Sequence, residues 1–103
     1  MDMAKYVVIY EDERTDVLAH DLLKEHVEYL RDLSSQGIIF MCGPLKNNEG
    51  LYGKGMLIFI ANSQMEVERH VLNDPFIIQK RYASYLIYEW IEANESNNYL
   101  ISK

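Results

Sequence analysis

The chain has 103 residues, 49% hydrophobic and 25% charged, with a formal net charge of −6. That length makes one domain with enough apolar residues for a packed core, and the apolar runs are strand-sized, too short to cross a bilayer as a helix. The acidic balance argues against non-specific nucleic-acid binding, which needs a basic surface to displace counterions, and weakly against anionic membrane surfaces.

In chain order, Lys5-Tyr6-Val7-Val8-Ile9-Tyr10 is β-branched and aromatic and predicts a first strand. The acidic stretch 11–16 lacks apolar periodicity and predicts a solvated loop ending in a helix cap. From about Val17 to Ser34, the residues Ala19, Leu22, Leu23, Val27, Leu30 and Leu33 recur at spacings of three and four. They predict a first helix with one apolar stripe, stopped at Gly37. Ile38 to Cys42 predicts a second strand ending at Gly43-Pro44. Residues 45–54 are a Gly- and Asn-rich loop, and Gly50 to Gly55 reads as a flexible hairpin-like connection placed to act as a lid. Gly55 to Ala61 predicts a third strand.

Ser63-Gln64-Met65-Glu66 has capping-box spacing, with the serine accepting from the Glu66 amide. It opens a second helix over about 64–72, which Asp74-Pro75 stops, because the residue before proline is pushed out of the α region. After a short connector, Tyr82 to Ile91 predicts a fourth strand. Residues 1–92 form the domain, and 93–103 is a polar tail with a small apolar cluster, Tyr99-Leu100-Ile101.

The order βαββαβ is a ferredoxin-like α+β signature: a four-stranded antiparallel sheet with two helices on one face. A sheet with one wet face alternates apolar and polar residues. Here both faces are apolar. Tyr6, Val8 and Tyr10 oppose Val7 and Ile9, and Met56, Ile58 and Ile60 oppose Leu57, Phe59 and Ala61. Helices cover only one side, so a homodimer packed sheet to sheet is expected. The alternative is that Tyr6, Tyr10, Tyr82 and Tyr88 line an open semi-polar cleft.

Two residues are candidates for chemistry. His26 sits within the apolar stripe and faces the sheet. It is either a core-edge histidine with a hydrogen-bonded neighbour or a general acid–base, since imidazole titrates near neutrality. Asp74 is either a turn residue before proline or a carboxylate that orients that imidazole. The fold brings the end of the second helix toward the first, but spacing alone does not establish their contact.

Glu25-His26-Val27-Glu28-Tyr29-Leu30, Gly37, the strand closing on Gly43-Pro44-Leu45, Gly55, Asp74-Pro75-Phe76 and a last strand ending at Trp90 form an ordered set. Over about residues 5–91 this set resembles the YciI-like (YCII-related) family. The resemblance implies a dimeric α/β barrel of ferredoxin-like protomers and an active-site His–Asp pair, falling here on His26 and Asp74. It also implies a substrate site bordered by Gly43, Pro44 and Phe76. One branch of that family removes chloride from a chlorinated hydroxyhydroquinone without an organic cofactor or metal. The resemblance fades after Trp90.

Other signals are weaker. His20 and His70 are expected on exposed helix positions, and no metal-ligand spacing links the histidines to Asp74. The only cysteine, Cys42, is expected buried in its strand. A single cysteine and a start without a leader pattern suit a reducing cytoplasm. Two functional classes follow. One is a cofactor-independent lyase or isomerase with His26 as proton carrier, Asp74 as its orienter and backbone donors near Gly43 or the 45–54 loop. The other is a small-molecule binding or sensing dimer that uses the same cleft without turnover. A haem-degrading or monooxygenase relative is a third reading from fold alone.

Overall fold

In a computed structural model, which describes residues 3–93, the first segment forms β1 (Ala4–Glu13). Its alternation sets the architecture. Tyr6, Val8 and Tyr10 are buried on one face, while Val7 and Ile9 are only half-buried on the other. The chain continues through α1 (His20–Ser35), β2 (Ile39–Lys46), β3 (Tyr52–Ala61), α2 (Gln64–Leu72), the short α3 (Pro75–Ile78) and β4 (Tyr82–Trp90). The sheet order is β2-β3-β1-β4, all antiparallel. This is the ferredoxin-like α+β fold, with the helices on one side of the sheet.

The core lies between that side and the helices. Val8, Leu57, Phe59 and Ala61 from the central strands pack with Leu33 of α1, Val67 and Val71 of α2 and Phe76 of α3. Burial of such side chains stabilises the fold by roughly 1.5–3 kcal/mol each. The helix ends follow local chemistry. Gly37, at a φ of 76°, ends α1 as expected, with the Ile38 amide bonded back to the Leu33 carbonyl at 2.9 Å. Ser63 caps α2 by accepting from the Glu66 amide at 3.2 Å.

Several boundaries differ from the sequence expectation. β1 runs through Glu11 and Asp12 to Glu13, because β4 supplies backbone partners as far as Tyr82 opposite Glu13. β2 passes through Gly43 and Pro44, and β3 begins at Tyr52, because the two edges pair from Cys42–Leu57 to Lys46–Tyr52. Pro44 is tolerated because β2 is an edge strand, where a missing N–H need not break the ladder. α1 starts at His20 rather than near Val17, and its cap residue Ala19 supplies no side-chain bond. The nearby Asp16, the expected cap, is instead bound by Arg14 at 3.0 Å. Asp74-Pro75 opens α3 where a plain connector was expected.

Cys42 is exposed, not buried. It lies on the edge strand, where Ile39 alone is buried, and it borders an open hollow beside α1. His20 is exposed as expected, whereas His70 is half-buried with its ring stacked 6.0 Å from that of Phe59.

The sheet's other face is apolar and open in the protomer. Phe40, Met41, Leu86, Tyr88 and Trp90 are all exposed there. A register shift between Ile39 and Met41 leaves Phe40 without a partner on β3. Its ring lies 5.6 Å from the Lys5 ammonium, which also sits 5.7 Å from the Trp90 ring. The apolar cluster 99–101 lies outside the described residues.

Candidate functional site

Asp74 is placed by the punctuation that ends α2. Pro75 occupies the first turn of α3, and Asp74 is its N-cap, accepting from the Phe76 amide at 2.9 Å through Oδ1. Asp74 is therefore the turn residue expected before proline. That Oδ1 also meets His26 Nδ1 at 2.7 Å, and Oδ2 accepts from the Tyr10 hydroxyl at 2.7 Å. Asp74 is 0% exposed, and the His26 side chain is 13% exposed.

A carboxylate already accepting from an amide and a phenol is an acceptor toward the imidazole as well. Nδ1 therefore carries the proton in this arrangement. Among the described residues, every buried side-chain nitrogen and oxygen has a hydrogen-bond partner. His26 Nε2 has none among the described residues, so it is left to solvent or a ligand. The Phe76 ring stacks on the imidazole, with centroids 3.6 Å apart and planes 4° from parallel. It fixes the plane in which Nε2 is presented.

The phenols around the pair feel the same environment. Burial, then the neighbouring Asp74 charge, push the Tyr10 hydroxyl well above its ordinary value. Burial and the charges of Asp74 and Asp32 push Tyr29 up to about 12. Tyr29 donates to the His70 carbonyl at 2.7 Å and so ties α1 to α2. Burial, then Asp74, also raise the Cys42 thiol. That thiol is a weaker nucleophile than a free cysteine.

A cleft of about 320 Å3 opens beside Phe76, lined also by Glu13, Leu18, Leu23, Pro44, Tyr52 and Tyr82. Its walls are aliphatic and aromatic, and among the described residues Glu13 is its one charged lining group. On α1, His26 lies between Leu23, which borders this cleft, and Leu30, which borders a second hollow with Val27 and Cys42. Phe76 and Pro44 thus stand together at the cleft, next to the His–Asp pair. Gly43 does not join them. It pairs with Met56 and borders a hollow with Met41 and Ile58, on the open face of the sheet. The 45–54 loop reaches the cleft only through Tyr52.

Two features were not legible in the sequence. Tyr10 was assigned to the helix-facing side by alternation, but its bond to a residue 64 positions away carries no local signal. The second is Arg81, which is only 6% exposed. Its Nε donates to Glu13 at 3.0 Å and its Nη1 to the Asp16 carbonyl at 2.8 Å. The Arg14 amide bonds the Arg81 carbonyl at 2.8 Å. Together these bonds hold the segment before α1 against the start of β4 and place Glu13 at the cleft. Among the described residues, no three of His, Cys, Asp and Glu cluster as a metal site would require.

The solved structure of 5-chloro-2-hydroxyhydroquinone dehydrochlorinase from Burkholderia phenoliruptrix AC1100, in complex with 2,5-dihydroxybenzoquinone, is similar to this chain. That structure matches with a TM-score of 0.61 at 24% identity, covering 85% of this chain and 95% of the other. A dimeric protein of unknown function with a ferredoxin-like fold, from Bacteroides fragilis NCTC 9343, has a TM-score of 0.47 at 19% identity. It covers 85% of this chain and 96% of its own. The chain matches no curated protein sequence. The model of the YCII-related domain matches residues 3–91, which include every residue of the site built above. The chain belongs to the YCII-related domain family.

Proposed function

We propose that this protein is a lyase or isomerase that works as a homodimer, using His26 and Asp74 for acid–base chemistry on a small enolisable or hydroxyquinone-like molecule. The observation that carries the reading is the 2.7 Å contact between His26 Nδ1 and a fully buried Asp74. It leaves Nε2 free to take a proton. A carboxylate behind an imidazole holds its tautomer and stabilises the imidazolium that forms.

The chemistry follows from that placement. Nε2 takes a proton from a ring hydroxyl or from the carbon beside a carbonyl, and the electron pair left behind enters the ring system as an enolate. In an elimination, the ring reacts as its keto tautomer, in which the carbon bearing the leaving group is tetrahedral; the pair forms a new double bond as that carbon's bond to the leaving group breaks and the group departs as its anion, and the imidazolium returns its proton to water. In an isomerisation, the imidazolium returns the proton to another carbon of the same molecule. The proton shuttle needs only the imidazole, so no organic cofactor or metal enters the scheme. General acid–base catalysis of this kind is worth about 10²- to 10⁴-fold.

The aromatic walls of the cleft, Phe76, Tyr52 and Tyr82, suit a flat ring. The similar dehydrochlorinase binds 2,5-dihydroxybenzoquinone, which supports that substrate class. The apolar open face of the sheet supports the dimer. A small acidic chain with a single cysteine suits the cytoplasm.

The test is a panel of hydroxylated and chlorinated hydroquinones and related enolisable ketones, assayed for turnover. His26→Ala and Asp74→Asn are expected to lower turnover of any substrate found by at least about 100-fold while leaving assembly intact. Turnover that survives both changes ends the reading. Binding by the wild-type protein with no turnover across the panel makes it a binding or sensing dimer instead.

A further inference from the structure

We infer that Tyr10 is a positioning residue for His26, acting through Asp74 to hold the imidazole in the form that leaves Nε2 free. The inference rests on His26 being the acting base, as read above.

The geometry divides the work between the two carboxylate oxygens. Oδ1 takes the Phe76 amide at 2.9 Å and His26 Nδ1 at 2.7 Å, while Oδ2 takes the Tyr10 hydroxyl at 2.7 Å. The cap bond alone leaves the carboxylate free to tilt about its own axis. A donor on the second oxygen removes that freedom and keeps Oδ1 aimed at Nδ1.

The phenol is itself held firmly. Its residue is 2% exposed and sits on a central strand, opposite Gly55 on β3 and Tyr85 on β4. Its ring lies 5.3 Å from that of Tyr82. Packing alone does not call for the hydroxyl. A phenylalanine would fill nearly the same space without a polar atom to satisfy. The hydroxyl makes one side-chain hydrogen bond, to Asp74. Burial and the adjacent charge keep it protonated, so it remains a donor across the neutral range.

The consequence is read on the imidazole. With the neutral ring, the carboxylate prefers the form protonated on Nδ1. Loosening the carboxylate lets the form protonated on Nε2 compete, and that form cannot accept a proton where a substrate arrives.

The experiment is ¹⁵N NMR of the histidine ring nitrogens, at a pH where His26 is neutral, in wild type and in Tyr10→Phe. Wild type is expected to show the pattern of a ring protonated on Nδ1. In the variant the ratio of the Nδ1-protonated to the Nε2-protonated form should fall by roughly tenfold, the scale of one charge-assisted hydrogen bond. An unchanged ratio in a variant with native circular dichroism overturns the inference. Should the variant fail to fold, the wild-type protein decides. There the Tyr10 hydroxyl proton should exchange with water far more slowly than that of exposed Tyr52, and equal exchange overturns the inference. Neither readout needs a substrate, so a silent substrate panel would defeat the reading of function without touching this result.

Discussion

His26 and Asp74 are 48 residues apart in the chain and meet at 2.7 Å, nitrogen to oxygen, where α1 crosses the start of α3. One oxygen of Asp74 closes a helix turn and meets the histidine ring at once. The proposed function thus puts structural and functional demands on the same atom, and substitutions of Asp74 should separate them by chemistry rather than by size.

Asp74→Ala removes the cap of α3 and leaves the Tyr10 hydroxyl buried without its acceptor. A lost cap costs about 1 kcal/mol, and an orphaned buried hydroxyl about 1–3 kcal/mol. The expected loss is roughly 2–4 kcal/mol by urea unfolding. Asp74→Asn keeps a capping oxygen and should lose less than half of that. Equal losses for the two would show that the cap and the phenol bond contribute little.

Arg81 should be a stability residue rather than a catalytic one. It is 6% exposed, and its guanidinium bridges Glu13 and the Asp16 carbonyl. Arg81→Met leaves the Glu13 carboxylate, only 19% exposed, without its cation. Breaking one side of a buried pair costs about 3–5 kcal/mol, so a thermal melt should show a drop of many degrees. Arg81→Lys should rescue little, because an ammonium cannot span both acceptors. A melt within a degree of wild type would refute the clamp.

Stability should fall in alkali because of Tyr10 and Tyr29. In the unfolded chain a tyrosine ionises near its ordinary value of 10.0, whereas burial and nearby carboxylates raise both groups in the native state, Tyr29 to about 12. Above pH 10 the unfolded state therefore releases protons that the native state keeps. The contribution is fully present below pH 10 and is lost as pH rises through the native values. Denaturation midpoints measured between about pH 9 and about pH 11 should decline, and more gently in Tyr10→Phe. An identical decline in the variant would exclude Tyr10 as a source.

The open sheet face is expected to be the dimer interface. Met41 and Tyr88, 60% and 56% exposed in the protomer, lie in one row across Ile58 and Val7. Met41→Glu with Tyr88→Glu puts two charges into that row and should yield a folded monomer by light scattering. A wild-type protein that is monomeric at micromolar concentration, or a double variant that stays dimeric, would place the interface elsewhere.

Much of the frame was legible in the residues. The alternation of Tyr6, Val8 and Tyr10, the stripe from Leu22 to Leu33, Gly37 and the Ser63 cap act within a few residues of themselves, and local physics is written locally. The strand ends were not legible. Glu11, Asp12 and the Gly43-Pro44 pair have loop chemistry, yet they extend because a neighbouring strand offers backbone partners. Cys42 was misread because burial depends on what lies above a strand, and at this edge an open hollow separates it from α1.

Residue type and spacing determined the order of the four strands and the two longer helices, showed the two-faced strands and singled out His26 and Asp74, which the family resemblance joined as a pair. Tertiary structure decided that the pair touches, that Tyr10 completes it and that Arg81 brings Glu13 to the cleft. It also moved Gly43 away from that cleft to the other side of the sheet. The division has a physical reason. Secondary structure answers to neighbours a few residues away, whereas a hydrogen bond between side chains tens of residues apart exists only once packing has set both backbones to within an ångström.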